Sequence, residues 1–87
     1  LMNGVNVAIL GATGTVGQEI LEILVERQFP IRDLRLLSSS RSAGRQVMVN
    51  GKPHTVEEVN EEAFHGVDIA FFAAGGTVSE QWVSACY

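Results

Sequence analysis

A parallel α/β fold is predicted by three features of this 87-residue sequence. A β-branched apolar run, Val5-Asn6-Val7-Ala8-Ile9-Leu10, passes without a break into a glycine-rich turn, and an amphipathic helical pattern leaves that turn directly. Two further apolar segments recur downstream, spaced by polar stretches. Alternating strands and helices joined by right-handed crossovers resolve most simply into one parallel sheet. The order of elements corresponds to the N-terminal half of a Rossmann-like dinucleotide-binding domain.

The first run suits a strand buried on both faces, since it is apolar but for Asn6 and bounded by Gly4 and Gly11. Val16, Ile20, Leu21, Ile23 and Leu24 then recur at helical spacing, with Gln18, Glu19, Glu22 and Glu26 opposite. This predicts a helix of about three turns. Pro30 is expected to end it, because its ring blocks continuation and biases Phe29 away from helix. Residues Leu34 to Ser38 read as a second strand that opens into the polar loop Ser39 to Arg45. Gln46 to Val49 and Pro53 to Val56 flank Asn50-Gly51, a dipeptide that tolerates positive φ at both positions, so a small β-hairpin is expected there. The acidic stretch Glu57 to Phe64 reads as a short helical turn, and Ile69 to Ala74 as a third buried strand closed by Gly75-Gly76. Thr77 or Ser79 is positioned to cap a last helix holding Trp82, Val83 and Cys86.

Composition narrows the function. The chain is 46% hydrophobic and 18% charged, a globular balance, and 6 basic against 10 acidic residues leave it at −4. Nucleic acid and anionic membrane are poor partners for such a chain. Its apolar runs fall well short of the roughly 20 residues a membrane helix needs, and no secretory leader pattern is present. A cytoplasmic location is therefore expected. The single Cys86 excludes an intrachain disulfide, and its predicted helix face favours packing over nucleophilic chemistry. His54 and His65 lack paired ligand spacing, and Glu57, Glu58, Glu61 and Glu62 read as a solvated face, so no metal site is expected. Leu1 precedes Met2 and the helical pattern still runs at Tyr87, so residues 1–87 are read as the N-terminal part of a longer chain.

The chemistry sits in Gly11-Ala12-Thr13-Gly14-Thr15-Val16-Gly17. Gly11 permits the tight turn off the strand, Gly14 lets a pyrophosphate approach the backbone, and Gly17 lets the helix pack close to the sheet. The amides of Thr13, Gly14, Thr15 and Val16, with the helix dipole, form an expected anion site. Spacing alone is weak; its position between a buried strand and a helix gives it weight. A plain strand-to-helix turn is the competing reading. After the second strand, the sequence Ser39-Ser40-Arg41-Ser42 holds hydroxyls and a guanidinium and no carboxylate. A carboxylate there accepts bonds from the ribose 2′-OH of NAD, whereas Ser39, Arg41 and Ser42 suit the 2′-phosphate of NADP. A solvated polar turn is the alternative. At the end of the third strand, Ala74 and Gly75 leave room for cofactor against the backbone, and an ordinary helix-leading turn explains them nearly as well.

These segments together resemble the N-terminus of bacterial aspartate-semialdehyde dehydrogenases. The glycine loop, Glu26-Arg27-Gln28-Phe29-Pro30, Ser39-Ser40-Arg41-Ser42-Ala43-Gly44 and the run from Phe64 to Gly76 carry the resemblance, which covers nearly the whole chain. It implies an NADP-dependent oxidoreductase of amino-acid biosynthesis that reduces aspartyl-β-phosphate to aspartate β-semialdehyde and releases phosphate, on the route to lysine, methionine and threonine. It further implies a small-molecule substrate and a homodimer or homotetramer of the full-length protein. It also places the acyl-thioester cysteine, the acid–base histidine and the catalytic and dimerisation domain beyond this sequence, so that no catalytic residue is expected within it. Two alternatives remain open at this point. One is an enzyme resembling N-acetyl-γ-glutamyl-phosphate reductase. The other is a homologue without catalysis that keeps the nucleotide fold as a binding module.

Overall fold

The computed structural model describes residues 4–75 and 81–83. Strand β1 (Val5–Leu10) leads to helix α1 (Thr15–Glu26) and strand β2 (Ile31–Ser38). Strands β3 (Gln46–Val49) and β4 (Lys52–Thr55) follow, then β5 (Glu57–Glu58), a 3₁₀ turn over Glu61–Phe64, and β6 (Ile69–Phe72). The sheet has four strands in the order β5-β2-β1-β6, and all its pairings are parallel. The chain steps outward from β1 to β2 to β5 and then crosses back to β6 on the other side of β1. The strand order therefore reverses at β1, and crevices for ligands form beyond the carboxyl ends of strands at such a point.

Strand β1 is central, and its alternating side chains feed two core layers. Val7 and Ile9 join Ala12, Leu21, Leu24, Leu36 and Val56 under α1. Ala8 and Leu10 join Leu37 and Phe64 on the opposite face. Phe64 stacks near Phe72 and lies beside Trp82, which packs against this second layer. Arg35 braces the return segment by donating to the carbonyls of Ala63 (2.7 Å) and His65 (2.9 Å).

Three expectations are corrected. The inward face of α1 is Gly17, Leu21 and Leu24, with Ile20 partly buried against the same layer as expected, while Val16 and Ile23, both large and apolar, are about half exposed. Pro30 does not end the helix. It stops at Glu26, where Gln28 adopts φ 53° and the amides of Gln28 and Phe29 donate to Val25 and Leu24. That is a Schellman closure with glutamine in the left-handed position usually given to glycine. Finally, the acidic stretch does not simply form a helical turn, because Glu57-Glu58 add a fourth strand beside Leu37-Ser38 before the 3₁₀ turn begins. The hairpin forms at the expected turn, with its second strand at Lys52–Thr55 instead of Pro53 to Val56, because Lys52 pairs with Val49 and Val56 enters the core. Asn50 and Gly51 both have positive φ, and Val47 and Val49 pack against the layer under α1. The expected cap at Thr77 or Ser79, and Cys86, lie outside the described residues.

Candidate functional site

The carboxyl ends of β1, β2 and β6 are stitched to one another. Gly11 and Ala12 donate their amides to Leu37 O (2.9 and 3.3 Å), and Ala73 donates to Leu10 O (2.8 Å). The glycine loop is thereby held between its two neighbouring strand ends. Gly11 has φ 90°, and a Cβ there would stand 2.7 Å from Ala74 N. A Cβ at Gly17 would collide with the Gly11 carbonyl oxygen and lie 2.9 Å from Ala12 Cα. Both glycines are required by the packing of this chain on itself.

Gly14 is different. Its φ of −84° suits any residue, and a Cβ there meets only Gly11 O, at an ordinary 3.5 Å. Nothing among the described residues demands glycine at this position, yet its exposed face borders the start of α1. Around it, the amides of Thr13, Thr15 and Val16 have no acceptor among the described residues. Gly14 itself must be removed from the expected anion donors, because its amide closes a turn onto Gly11 O (3.1 Å). The first turn of α1 carries no acidic residue and no capping side chain, so the positive end of the helix dipole stands uncompensated. These donors suit an anion.

The second loop leaves β2 at Ser38, which is buried and donates its hydroxyl to Ser39 O (2.9 Å). Ser42 and Ala43 donate their amides back to Ser39 O, and Gly44 and Arg45 are tied to Val56. The loop's shape thus rests on its backbone, leaving Ser39 and Arg41 exposed and Ser42 half-buried. Arg41 makes no ion pair among the described residues, where the one such pair is Arg35 with Asp33. Beside this loop stand Glu57 and Glu58, in register with Leu37 and Ser38 and both exposed. Sequence reading placed no carboxylate here, because these two arrive from a different strand. Ala74 lies over Gly11, and Gly75 is exposed with open space about it.

The remaining candidates do not assemble into a site. No group of His, Cys, Asp and Glu among the described residues could hold a metal, and His54 and His65 stand apart from the glycine loop on the hairpin and the return segment. A groove of about 700 Å³, lined in part by Leu24, Phe29, Ile31 and His54, opens at the start of β2, away from the strand ends described above. No helix of the described residues is long and apolar enough to cross a membrane. One contributor was missed by sequence reading. The side chain of Gln18, one turn into α1, donates to Ala12 O at 2.8 Å.

Comparison with known proteins agrees with this geometry. The family model for the semialdehyde dehydrogenase NAD-binding domain matches residues 6–87. Aspartate-semialdehyde dehydrogenase of Bacillus subtilis is 52% identical over 88% of this chain and 22% of its own length. That of Aquifex aeolicus is 49% identical over 91% of this chain and 24% of its own length. In structure, aspartate semialdehyde dehydrogenase II of Vibrio cholerae, crystallised with ASA, superposes with a TM-score of 0.87 at 46% identity. It matches over 95% of this chain and 29% of its own. A probable aspartate-semialdehyde dehydrogenase of Pseudomonas aeruginosa gives 0.89 at 38% identity, over 95% of this chain and 25% of its own. The chain spans about a quarter of the length of the curated relatives it matches. With its strand order, its glycine loop and this match over most of its length, the chain belongs to the semialdehyde dehydrogenase NAD-binding domain family.

Proposed function

We propose that this chain is the NADP-binding portion of a cytoplasmic aspartate-semialdehyde dehydrogenase, an enzyme that interconverts aspartyl-β-phosphate and aspartate β-semialdehyde with uptake or release of phosphate. The relatives at 49–52% identity favour that substrate over the N-acetyl-γ-glutamyl phosphate alternative. The observation that carries the binding role is Gly14, a glycine the unliganded fold does not need, ringed by the open amides of Thr13, Thr15 and Val16. Bound NADPH supplies the hydride. The chain's residues would bind and orient it: Gly11 and Gly17 set the loop, the amides of Thr13, Thr15 and Val16 would hold the pyrophosphate, and Ser39, Arg41 and Ser42 would hold the 2′-phosphate. Ala74 and Gly75 border the nicotinamide side. A thioester step also needs a thiolate and a proton shuttle, and the described residues include no cysteine. Catalysis belongs to the full-length protein, as a homodimer or homotetramer.

One observation favours NAD. Glu57 and Glu58 run beside the end of β2, where a carboxylate can accept from a ribose 2′-OH and repel a 2′-phosphate. Calorimetric titration of the folded chain with NADP and NAD separates the two readings. We expect tighter binding of NADP, and Arg41→Ala to weaken NADP about tenfold or more, as loss of a charged hydrogen bond worth roughly 1.5–3 kcal/mol implies. NAD affinity should stay unchanged. Equal losses for both cofactors would remove Arg41 from the 2′-phosphate, and preference for NAD would assign the ribose to the β5 carboxylates.

A further inference from the structure

We propose that Gln18 is a positioning residue for dinucleotide binding, aiming the Thr13 amide at the pyrophosphate through the peptide that joins Ala12 to Thr13. The inference rests on the reading of the glycine loop as the pyrophosphate site. The peptide between Leu10 and Gly11 is fixed at both ends, by Ala73 N on Leu10 O and by Gly11 N on Leu37 O. That between Gly11 and Ala12 is fixed likewise, by Gly14 N on Gly11 O and by Ala12 N on Leu37 O. Gly14 N also fixes the peptide that follows Thr13, and Gln18 N on Gly14 O fixes the one after it.

The peptide between Ala12 and Thr13 is the exception. No backbone group among the described residues holds it. Its orientation rests on one side chain, the Gln18 amide, whose Nε2 donates to Ala12 O at 2.8 Å in a part-buried setting. A trans peptide is planar, with its C=O and N–H pointing in opposite directions. Holding the carbonyl of Ala12 toward α1 therefore turns the N–H of Thr13 away from the helix body, with no protein acceptor among the described residues. Gln18 is well placed to act as the anchor, since its own backbone amide is bonded within the same loop and α1 fixes its Cα. Binding sites assembled in advance lose less free energy in ordering their donors when the ligand arrives.

The test uses Gln18→Leu, which keeps the volume and removes the donor. We expect NADP affinity to fall about tenfold, while 2′-AMP, which has the 2′-phosphate and no pyrophosphate, binds as before. A parallel loss of both ligands, or no loss of either, would overturn the proposal, since a merely structural bond does not distinguish them. Should the variant not fold, the unsubstituted chain decides. Its ¹H–¹⁵N spectrum should show Gln18 side-chain amide protons protected from exchange and the Thr13 amide among those most shifted by inorganic pyrophosphate. Rapid exchange at Gln18 or an unmoved Thr13 amide would overturn the role. Failure of the unsubstituted chain to bind NADP, NAD or pyrophosphate is a different result, because it removes the loop as the site and Gln18 along with it.

Discussion

Two loops leave the same edge of the sheet, and they are built on opposite principles. The loop from Gly11 to Gly17 is defined by backbone: two of its glycines have no room for a Cβ, and three of its main-chain amides have no acceptor among the described residues. The loop from Ser39 to Arg45 is defined by side chains: its backbone is tied to itself and to Val56, a Cβ on its one glycine would meet nothing within 4 Å, and Arg41 is exposed with no ion pair among the described residues. The difference teaches where variation is permitted. A loop whose ligand groups are backbone can change few residues without disturbing the sheet. A loop whose ligand groups are exposed side chains can alter its preference for a ligand at little cost to the fold.

The sharpest way to break this comparison is to put the same methyl group into the first loop at its tightest point. Gly17→Ala forces a Cβ against Gly11 O and Ala12 Cα, both backbone atoms that cannot swing aside. Such overpacking costs about 3 kcal/mol, against a total of roughly 5–15 kcal/mol for a folded domain. Circular dichroism should show either loss of the native fold or a large drop in Tm. A variant melting with the unsubstituted chain would mean that α1 can lift off the sheet freely, and the packing explanation of this glycine would fail.

Gly14→Val gives a smaller change in stability and a large one in binding. The site is an N-cap in extended conformation with its Cβ direction nearly empty, so valine costs the fold about 1 kcal/mol as a poor cap. The branched side chain occupies the proposed approach of the pyrophosphate. Titration should show both NADP and NAD weakened at least tenfold, in contrast to Arg41→Ala, which singles out NADP. Retained affinity for both would show that ligand does not touch the loop at Gly14.

Signals confined to neighbouring residues were legible in the sequence. The apolar run Val5–Leu10, the glycine loop that follows it, and the Asn50-Gly51 turn all fold as their local chemistry directs. Features decided by distant partners were not. Glu57-Glu58 have little strand propensity and form β5 because the end of β2 offers an open edge, to which Val59 also donates through Ser38 O. Val16 and Ile23 look like part of the helix's apolar face, yet the close approach of Gly17 rotates Leu21 and Leu24 inward and leaves those two outside. Pro30 is a strong stop signal, but the helix had already closed at Gln28 through a left-handed turn that a glutamine gives no warning of. The proposed anion site shows the same division. Its glycines were readable, whereas the use of Gly14 N–H inside the loop and the clamp from Gln18 depend on the turn's three-dimensional course.

The smallest effect expected is that of the same methyl group in the second loop. Gly44 has φ 94°, so alanine there is strained, but the added Cβ meets no atom within 4 Å. The cost is conformational alone, about 1–2 kcal/mol for an L-residue held in left-handed backbone. For a domain of this size that corresponds to a Tm lower by roughly 4–8 °C per kcal/mol. The amide of Gly44 bonds to Val56 O at 2.7 Å and Ser42 and Ala43 stay tied to Ser39 O, so the turn that carries Arg41 keeps its anchors. Gly44→Ala should therefore remain folded and retain the preference between NADP and NAD. Thermal melts and titrations of Gly17→Ala and Gly44→Ala side by side set contact against strain directly. If Gly44→Ala destabilises the chain as much as Gly17→Ala, or erases cofactor preference, the second loop is as tightly specified as the first and its side chains do not act independently of its backbone.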